Sequence, residues 1–183
     1  TVTPPCSGPV WINEFHYDNA SYDTGEGVEI AGRAGTDLSG YCIHLYNGSN
    51  GTIYDTLHLS GLVDDETDGF GALWFNPPGG DLQNGAPDGL ALVRIEADST
   101  NLLQFISYEG SFAAAEGPAD GLTSVDAGVE ENNEATPEGF SLQLKGKGST
   151  YAEMEWTGPT NSSPGSLNMH QELRAPGLVY TVF

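Results

Sequence analysis

A cluster of carboxylate side chains lies between two short apolar stretches near the start of the chain. The segment HYDNASYDTGEGVEI (16–30) contains Asp18, Asp23, Glu26 and Glu29, and it has no Lys or Arg. Ca²⁺ takes about six to eight oxygen ligands, which include carboxylates, amide oxygens and backbone carbonyls. Carboxylates that share a corner without a cation repel one another. The segment therefore predicts a calcium site, and a solvated acidic turn is the alternative.

The predicted calcium ligands come from this turn and from the strand before it. Glu14 precedes the turn, and it would share a corner with Glu29 if the two flanking strands run side by side. The turn itself offers one amide and three carboxylates within nine positions. The full predicted set is Glu14, Asp18, Asn19, Asp23 and Glu26.

A second acidic turn, DDETDG (64–69), has the spacing of the first half of an EF-hand loop. An EF-hand needs a bidentate Glu at its twelfth position, and that position is Phe75 here. The EF-hand is therefore excluded. A shallow calcium site that uses Asp64 and Asp68 remains a second prediction.

The charge balance limits the partners that the chain could bind. Its 183 residues include 26 acidic and 5 basic side chains, for a net charge of −21. Because five basic residues are too few to replace the counterions of a nucleic acid backbone, we expect no direct nucleic acid binding. No apolar run is long enough for a membrane-spanning helix. Divalent cations or a saline environment would relieve the self-repulsion.

The beginning of the chain and its cysteines favour an exported protein. The chain starts at Thr1 without Met, which is typical of a processed N-terminus after removal of a signal peptide. The two cysteines, Cys6 and Cys42, predict a disulfide, and two separate buried thiols are the alternative. If the source is a eukaryote, four Asn-x-Ser/Thr sequons predict glycosylation at Asn19, Asn47, Asn50 and Asn161. We expect a secreted, extracellular protein.

The pattern of the whole chain predicts an all-β fold. Its 25 Gly and 11 Pro separate short alternating segments, and no segment has a sustained helical period. We predict about nine strands, at 9–17, 27–32, 41–47, 52–59, 71–75, 89–96, 102–108, 140–144 and 152–156. Such strands favour two packed antiparallel sheets in a single domain over 1–183, with its core at about 9–170. The acidic stretch 116–139 is predicted to be a surface loop or flap, and 171–183 a tail or edge strand.

Several motifs resemble the bacterial type of lamin-tail domain, in the same order along the chain. They include Ile12-Asn13-Glu14, Glu26/Glu29-Ile30 and Asp37-Leu38-Ser39-Gly40-Tyr41, and later GFGALWF (69–75), LQNGAPDGLALV (82–93), QFISYEGSF (104–112), FSLQL (140–144) and SPGSLN (163–168). The resemblance covers about residues 9–170 and implies an immunoglobulin-like β-sandwich. In bacteria such domains are typically non-catalytic modules of secreted nucleases, phosphatases and other surface hydrolases. The cysteine pair and the very acidic turns depart from that pattern.

Three functions from different classes fit the sequence. The leading hypothesis is a secreted, non-catalytic module that binds calcium and serves adhesion, targeting or protein interaction, with a cell-surface or matrix protein or a glycan as its partner. The second is a calcium-dependent carbohydrate-binding module or lectin, for which Trp74 and Trp156 are candidate sugar platforms. The third is an extracellular hydrolase with an unrecognised carboxylate site. The sequence contains no Gly-x-Ser-x-Gly, His-Glu-x-x-His or phosphate-loop motif.

Overall fold

The computed structural model describes residues 9–175, and these residues form two β-sheets that pack face to face. Three short 3₁₀ turns lie at Leu38–Gly40, Gly117–Ala119 and Tyr151–Glu153. The strands are β1 (Val10–His16), β2 (Gly27–Arg33), β3 (Tyr41–Asn47), β4 (Thr52–His58), β5 (Phe70–Phe75), β6 (Asp88–Glu96), β7 (Ser99–Tyr108), β8 (Val125–Asp126), β9 (Phe140–Gly148), β10 (Met154–Asn161) and β11 (Gln171–Leu173). The described part of the chain contains no helix with the length and hydropathy to span a bilayer.

The first sheet has the strand order β10-β9-β1-β2-β5, and β11 pairs with β9 in parallel. The second sheet has the order β4-β3-β6-β7-β8, where the β7–β8 pair is parallel and the others are antiparallel. The predicted all-β sandwich is therefore confirmed, and each predicted strand corresponds to a strand of the structure. The pattern missed β8, because a strand of two residues is too short to show alternation, whereas β11 lies in the stretch 171–183 that was predicted as a tail or edge strand.

The core lies between the two sheets, and the alternation of side chains along each strand builds it. Ile12 and Val28 come from the first sheet, and Ile43, Leu45 and Leu90 from the second. All five side chains are inaccessible to solvent. The residues that alternate with these along each strand point away from this core. The outer face of the first sheet therefore receives Glu29, which is buried there by another part of the chain.

Loops cover the outer faces of both sheets. On the first sheet, Trp11, Phe70 and Leu173 form a small apolar cluster under the C-terminal part of the described chain. On the second sheet, a cluster that includes Tyr46 and Phe105 lies under residues 112–122. The stretch predicted as a surface loop or flap is thus partly internal, because Ala119 and Glu131 are fully buried.

A hydrogen bond from β1 to β7 connects the two sheets beside a β-bulge at Asn13. The register of β1 against β2 shifts between Ile12 and Glu14, so Asn13 is an extra residue in β1. Across the sandwich, the buried Gln104 of β7 accepts a 2.6 Å hydrogen bond from the Ile12 N–H through its Oε1. The amide of Gln104 therefore satisfies a backbone donor that would otherwise be buried without an acceptor.

The Gln104→Leu substitution is expected to destabilise the protein by about 1–3 kcal/mol, because it leaves the buried Ile12 N–H without an acceptor. Urea unfolding monitored by tryptophan fluorescence measures this change. Asn101→Leu, at an exposed position of the same strand, is the matched control and should have little effect. Equal stability of both variants would show that the hydrogen bond between the sheets contributes nothing.

Candidate functional site

Three loops meet at one end of the sandwich and carry most of the predicted site residues. The β1–β2 loop (17–26) lies between the β5–β6 loop (76–87) and the segment that joins β7 to β9 (109–139). The Ala20 N–H donates to the Thr136 carbonyl at 2.8 Å, and the Leu82 N–H donates to Glu26 Oε2. The β1–β2 loop is therefore fixed on both sides by its neighbours.

Glu131, which the sequence did not single out, fixes the start of the β1–β2 loop. Its carboxylate is fully buried and accepts hydrogen bonds from the Tyr17 N–H at 2.8 Å and the Asp18 N–H at 3.0 Å. The Tyr17 hydroxyl in turn accepts a 2.7 Å hydrogen bond from the Glu131 N–H. These reciprocal hydrogen bonds determine the position of Asp18.

His16 supplies a buried basic group beside the Glu131 carboxylate. Its Nδ1 lies 3.0 Å from Glu131 Oε1, and its Nε2 lies 3.2 Å from Asn19 Oδ1 and 3.1 Å from the Thr24 carbonyl. Burial lowers the pKa of His16, but the hydrogen bond and charge of Glu131, together with the Asn19 and Thr24 oxygens, raise it overall. Both ring nitrogens face acceptors, so the geometry favours the doubly protonated imidazolium.

Asn19 shapes the turn from within. It is only 1% exposed, and its Nδ2 donates to the carbonyls of Ala20 and Tyr22 at 3.2 and 3.0 Å. Its Oδ1 accepts from the Thr24 N–H at 3.0 Å. The amide oxygen that the sequence assigned to calcium is therefore used to hold the loop, and the buried amide nitrogen is inaccessible to glycosylation in the folded protein.

A cavity of about 420 Å³ opens beside the β1–β2 loop, and we call it the acidic cavity. Asp23 and Glu26 line it from one side, and Asp81 and Asn84 from the β5–β6 loop. Burial raises the pKa of Glu26 to about 7; Asp81 and Asp23 add to the rise, and the Leu82 N–H and His16 oppose it. The acidic cavity therefore concentrates negative charge, and its lining residues include no Lys or Arg.

Asp18 neighbours Asp23 and is the least satisfied carboxylate of the site. It is 4% exposed, and its Oδ1 has no hydrogen-bond partner among the described residues. Burial, followed by the charge of the Asp23 carboxyl and a hydrogen bond with it, raises the pKa of Asp18 to about 6. Two carboxyl groups in contact need either a shared proton or a cation between them.

The predicted ligands do not all converge on this place. Within residues 9–175, no group of three or more His, Cys, Asp and Glu side chains has the arrangement to hold a metal ion. Asp23 and Glu26 line the acidic cavity and Asp18 neighbours Asp23, whereas Glu14 contacts Ser163 on the outer face of the first sheet. A calcium ion at Asp18 would need backbone carbonyls and water in addition to the half-exposed Asp23 beside it.

Glu14 and Glu29 have a structural role instead. They are opposite each other on β1 and β2, as the sequence predicted for neighbouring strands. Glu14 Oε1 accepts from the Ser163 N–H at 2.9 Å, and Glu29 Oε2 accepts from the Gly165 N–H at 2.8 Å. Asn168 Nδ2 donates to the Asn13 carbonyl at 3.1 Å. The motifs Ile-Asn-Glu and Ser-Pro-Gly-Ser-Leu-Asn thus belong to one network that attaches the 162–168 segment to the first sheet.

The second acidic turn is also built by its own carboxylates. Asp65 Oδ1 accepts from the Gly69 N–H at 3.0 Å, and Glu66 accepts from the N–H groups of Ala72 and Leu167. Asp64 and Asp68 are exposed, and Asp68 has a positive φ of 49° at the tip of the turn. The structure therefore shows no convergence of Asp64 and Asp68 with a third acidic ligand within the described residues.

The remaining predicted sites are placed as follows. Cys42 is buried with its Sγ 3.8 Å from His44 Nε2, while Cys6 lies outside the described residues, so the predicted disulfide stays a prediction. Asn50 and Asn161 are exposed, and Asn47 is half-buried.

Sequence reasoning did not find Glu131, Asp81 or Asn84, because each is far along the chain from the β1–β2 loop. The useful signal was the density of Asp, Asn and Gly in GGDLQNGAPDG (79–89), which is typical of a turn that could approach another loop. Trp74 and Trp156 are only partly exposed, and Trp156 packs edge-on against Phe15 at 5.0 Å. Within residues 9–175, the most exposed large hydrophobic side chain is instead Tyr22, at 87%, on the rim of the acidic cavity.

In EDTA, the protein is expected to lose stability as the pH rises from about 4.5 to about 8. Burial, followed by the charge of Glu14, raises the folded-state pKa of Glu29 from its ordinary 4.5 to about 8. The unfolded state thus releases its proton first, so the free energy of unfolding falls as the pH rises between those two values. Thermal melts in EDTA across this range measure the slope.

Glu29→Gln should flatten this pH dependence, whereas the exposed Glu138→Gln should leave it unchanged. A melting temperature that rises over the same range would show that Glu29 is charged in the native state.

Compared with protein families, curated proteins and solved structures, the chain matches none of them.

Proposed function

We propose that the chain is a secreted, non-catalytic β-sandwich module of the lamin-tail type, which binds calcium at its loop end. The bound calcium orders that end for adhesion, targeting or protein interaction. The observation that carries the proposal is the buried Asp18 carboxylate, whose Oδ1 has no hydrogen-bond donor among the described residues.

The other buried carboxylates make this observation informative. Among the described residues, the buried carboxylate side chains are Glu14, Asp18, Glu26, Glu29, Asp88 and Glu131. Apart from Asp18, each of them accepts at least one backbone N–H donor. A buried charge without a hydrogen bond or a counter-charge is costly. A cation at Asp18 would remove that cost, and the neighbouring Asp23 carboxylate could contribute to its coordination together with backbone carbonyls and water.

The lamin-tail part of the proposal rests on the sequence resemblance. The network of Asn13, Glu14, Glu29 and Asn168 supports it, because it gives one physical reason why these motifs occur together. An immunoglobulin-like arrangement of the two sheets is part of the same proposal.

Calcium should raise the melting temperature far more than NaCl of equal ionic strength does. Binding to the native state at a hundredfold excess over Kd stabilises by about 2.7 kcal/mol. For a domain of this size, that is on the order of 5–10 °C. Differential scanning calorimetry in EDTA, CaCl₂ and matched NaCl measures the difference, because screening does not depend on the identity of the ion.

The Asp18→Asn variant should change stability in two directions. Without calcium its melting temperature should rise, since an amide can donate a hydrogen bond to Asp23 and carries no charge. With calcium the additional stabilisation should disappear. Asp23→Asn should also remove most of the calcium response, while its Oδ1 can still accept from the Asn19 N–H.

Asp64→Asn is the matched control at the second acidic turn, and it should keep the full calcium response. If Asp64→Asn removes the response and Asp18→Asn does not, calcium binds at the second turn. Equal shifts with CaCl₂ and NaCl in the wild type would contradict calcium binding altogether.

A further inference from the structure

We infer that the acidic cavity binds the guanidinium group of an arginine side chain from a partner protein. This inference rests on the proposed role in protein interaction, and it does not depend on the calcium ion. Its starting point is Glu26, which lines the acidic cavity although it is only 4% exposed. Its Oε2 accepts the Leu82 N–H, whereas its Oε1 has no hydrogen-bond donor among the described residues. A buried carboxylate oxygen is thus available to a donor that enters the cavity.

The chain itself does not supply the positive charge that would match this cavity. Four of its five Lys and Arg side chains form ion pairs elsewhere on the surface, and Arg33 lies over the Phe70 ring. None of the five lines the acidic cavity. His16, whose charge acts on Glu26, is already paired with Glu131. A cation that neutralises the cavity therefore has to come from another molecule.

The lining of the cavity has the chemistry that an arginine side chain prefers. Asp23 and Asp81 line it together with Glu26, and Tyr22 is 87% exposed on its rim. A guanidinium group presents several N–H donors in one plane, so it can donate to more than one carboxylate, and its flat face stacks on aromatic rings. The ammonium group of lysine is a compact and strongly hydrated charge. Carboxylates beside an exposed aromatic ring therefore favour arginine over lysine.

A second cavity beside the acidic cavity indicates that the arginine belongs to a peptide chain. This second cavity, of about 310 Å³, shares Gln83 and Asn84 with the acidic cavity and also contains Asn47 and Ser49. Gln83 Oε1 accepts from Asn47 Nδ2 at 2.8 Å, and Gln83 Nε2 has no partner among the described residues. Side-chain amides both donate to and accept from peptide groups. Main-chain groups next to the arginine can therefore bind there.

The test is an NMR titration of the protein in EDTA with a peptide that has one arginine among glycines. At about pH 7.5, above the pKa of about 7 of Glu26, the carboxylates of the cavity are mostly ionised. The arginine peptide should shift the amide signals of Glu26, Leu82 and Asn84. The same peptide with lysine should bind several-fold more weakly, and with citrulline, an uncharged isostere of arginine, it should not bind. Free argininamide should bind more weakly than the peptide, since it lacks the main-chain contacts.

Three variants separate the cavity from the general charge of the protein. Glu26→Gln keeps an oxygen for the Leu82 N–H but removes the charge, so it should weaken binding of the arginine peptide roughly tenfold. Tyr22→Ala should weaken it several-fold, because it removes the aromatic face. Glu138→Gln is the matched control, since it makes the same charge change at an exposed position outside the cavity, and it should keep the affinity.

Equal binding of the arginine peptide and its citrulline or lysine counterpart would overturn the inference. An equal loss in Glu26→Gln and Glu138→Gln would also overturn it, because it would show general attraction to an acidic surface. Free argininamide that binds as tightly as the peptide would overturn the assignment to a partner protein. Because these titrations contain EDTA, their failure leaves the expected calcium-dependent melting shift standing, and the absence of that shift leaves peptide binding standing.

Discussion

Carboxylates that accept backbone N–H groups hold the loops of this protein to its sheets. A carboxylate that accepts hydrogen bonds from amides can be buried without a basic side chain beside it. Glu131 holds the start of the β1–β2 loop, Glu14 and Glu29 hold the 162–168 segment, and Glu26 holds the β5–β6 loop. These hydrogen bonds from backbone N–H groups explain how a chain with so many acidic and so few basic residues can bury several carboxylates.

The same interaction isolates Asp18. Glu131 places the backbone of Asp18, because it accepts the Asp18 N–H, but it leaves the Asp18 side chain in contact with another carboxylate. The loops around it are already fixed by other carboxylates, so the site cannot relax by simply unfolding the turn. Protons can neutralise part of this charge, since burial raises the pKa of Asp18 to about 6 and of Glu26 to about 7. A divalent cation would neutralise it at higher pH. If Asp18 binds calcium, as we propose, then calcium binding and loop architecture are consequences of one charge distribution.

The sequence predicted the sandwich because alternation and turn residues are local signals, and the longer strands carry both. It also predicted that Glu14 and Glu29 would be neighbours, because strands joined by a turn usually pair. It could not predict that Ser163 and Gly165 would use those carboxylates, because that contact joins positions about 150 residues apart. For the same reason it missed Glu131. It also assigned the Asn19 oxygen to a metal, because an amide oxygen in an acidic turn suits a metal ion and a backbone N–H equally well, and only the folded turn shows that the Thr24 N–H uses it. Local composition identifies where charge accumulates, and only the tertiary contacts show which charges are already satisfied.

The most direct measurement is the crystal structure of the protein grown with calcium, with a second crystal in which terbium replaces calcium. Anomalous difference density should show one strong peak within coordination distance of Asp18 Oδ1, with Asp23 turned toward it. Its absence at saturating terbium, or a peak only at Asp64 and Asp68, would contradict the claim that Asp18 is a calcium ligand.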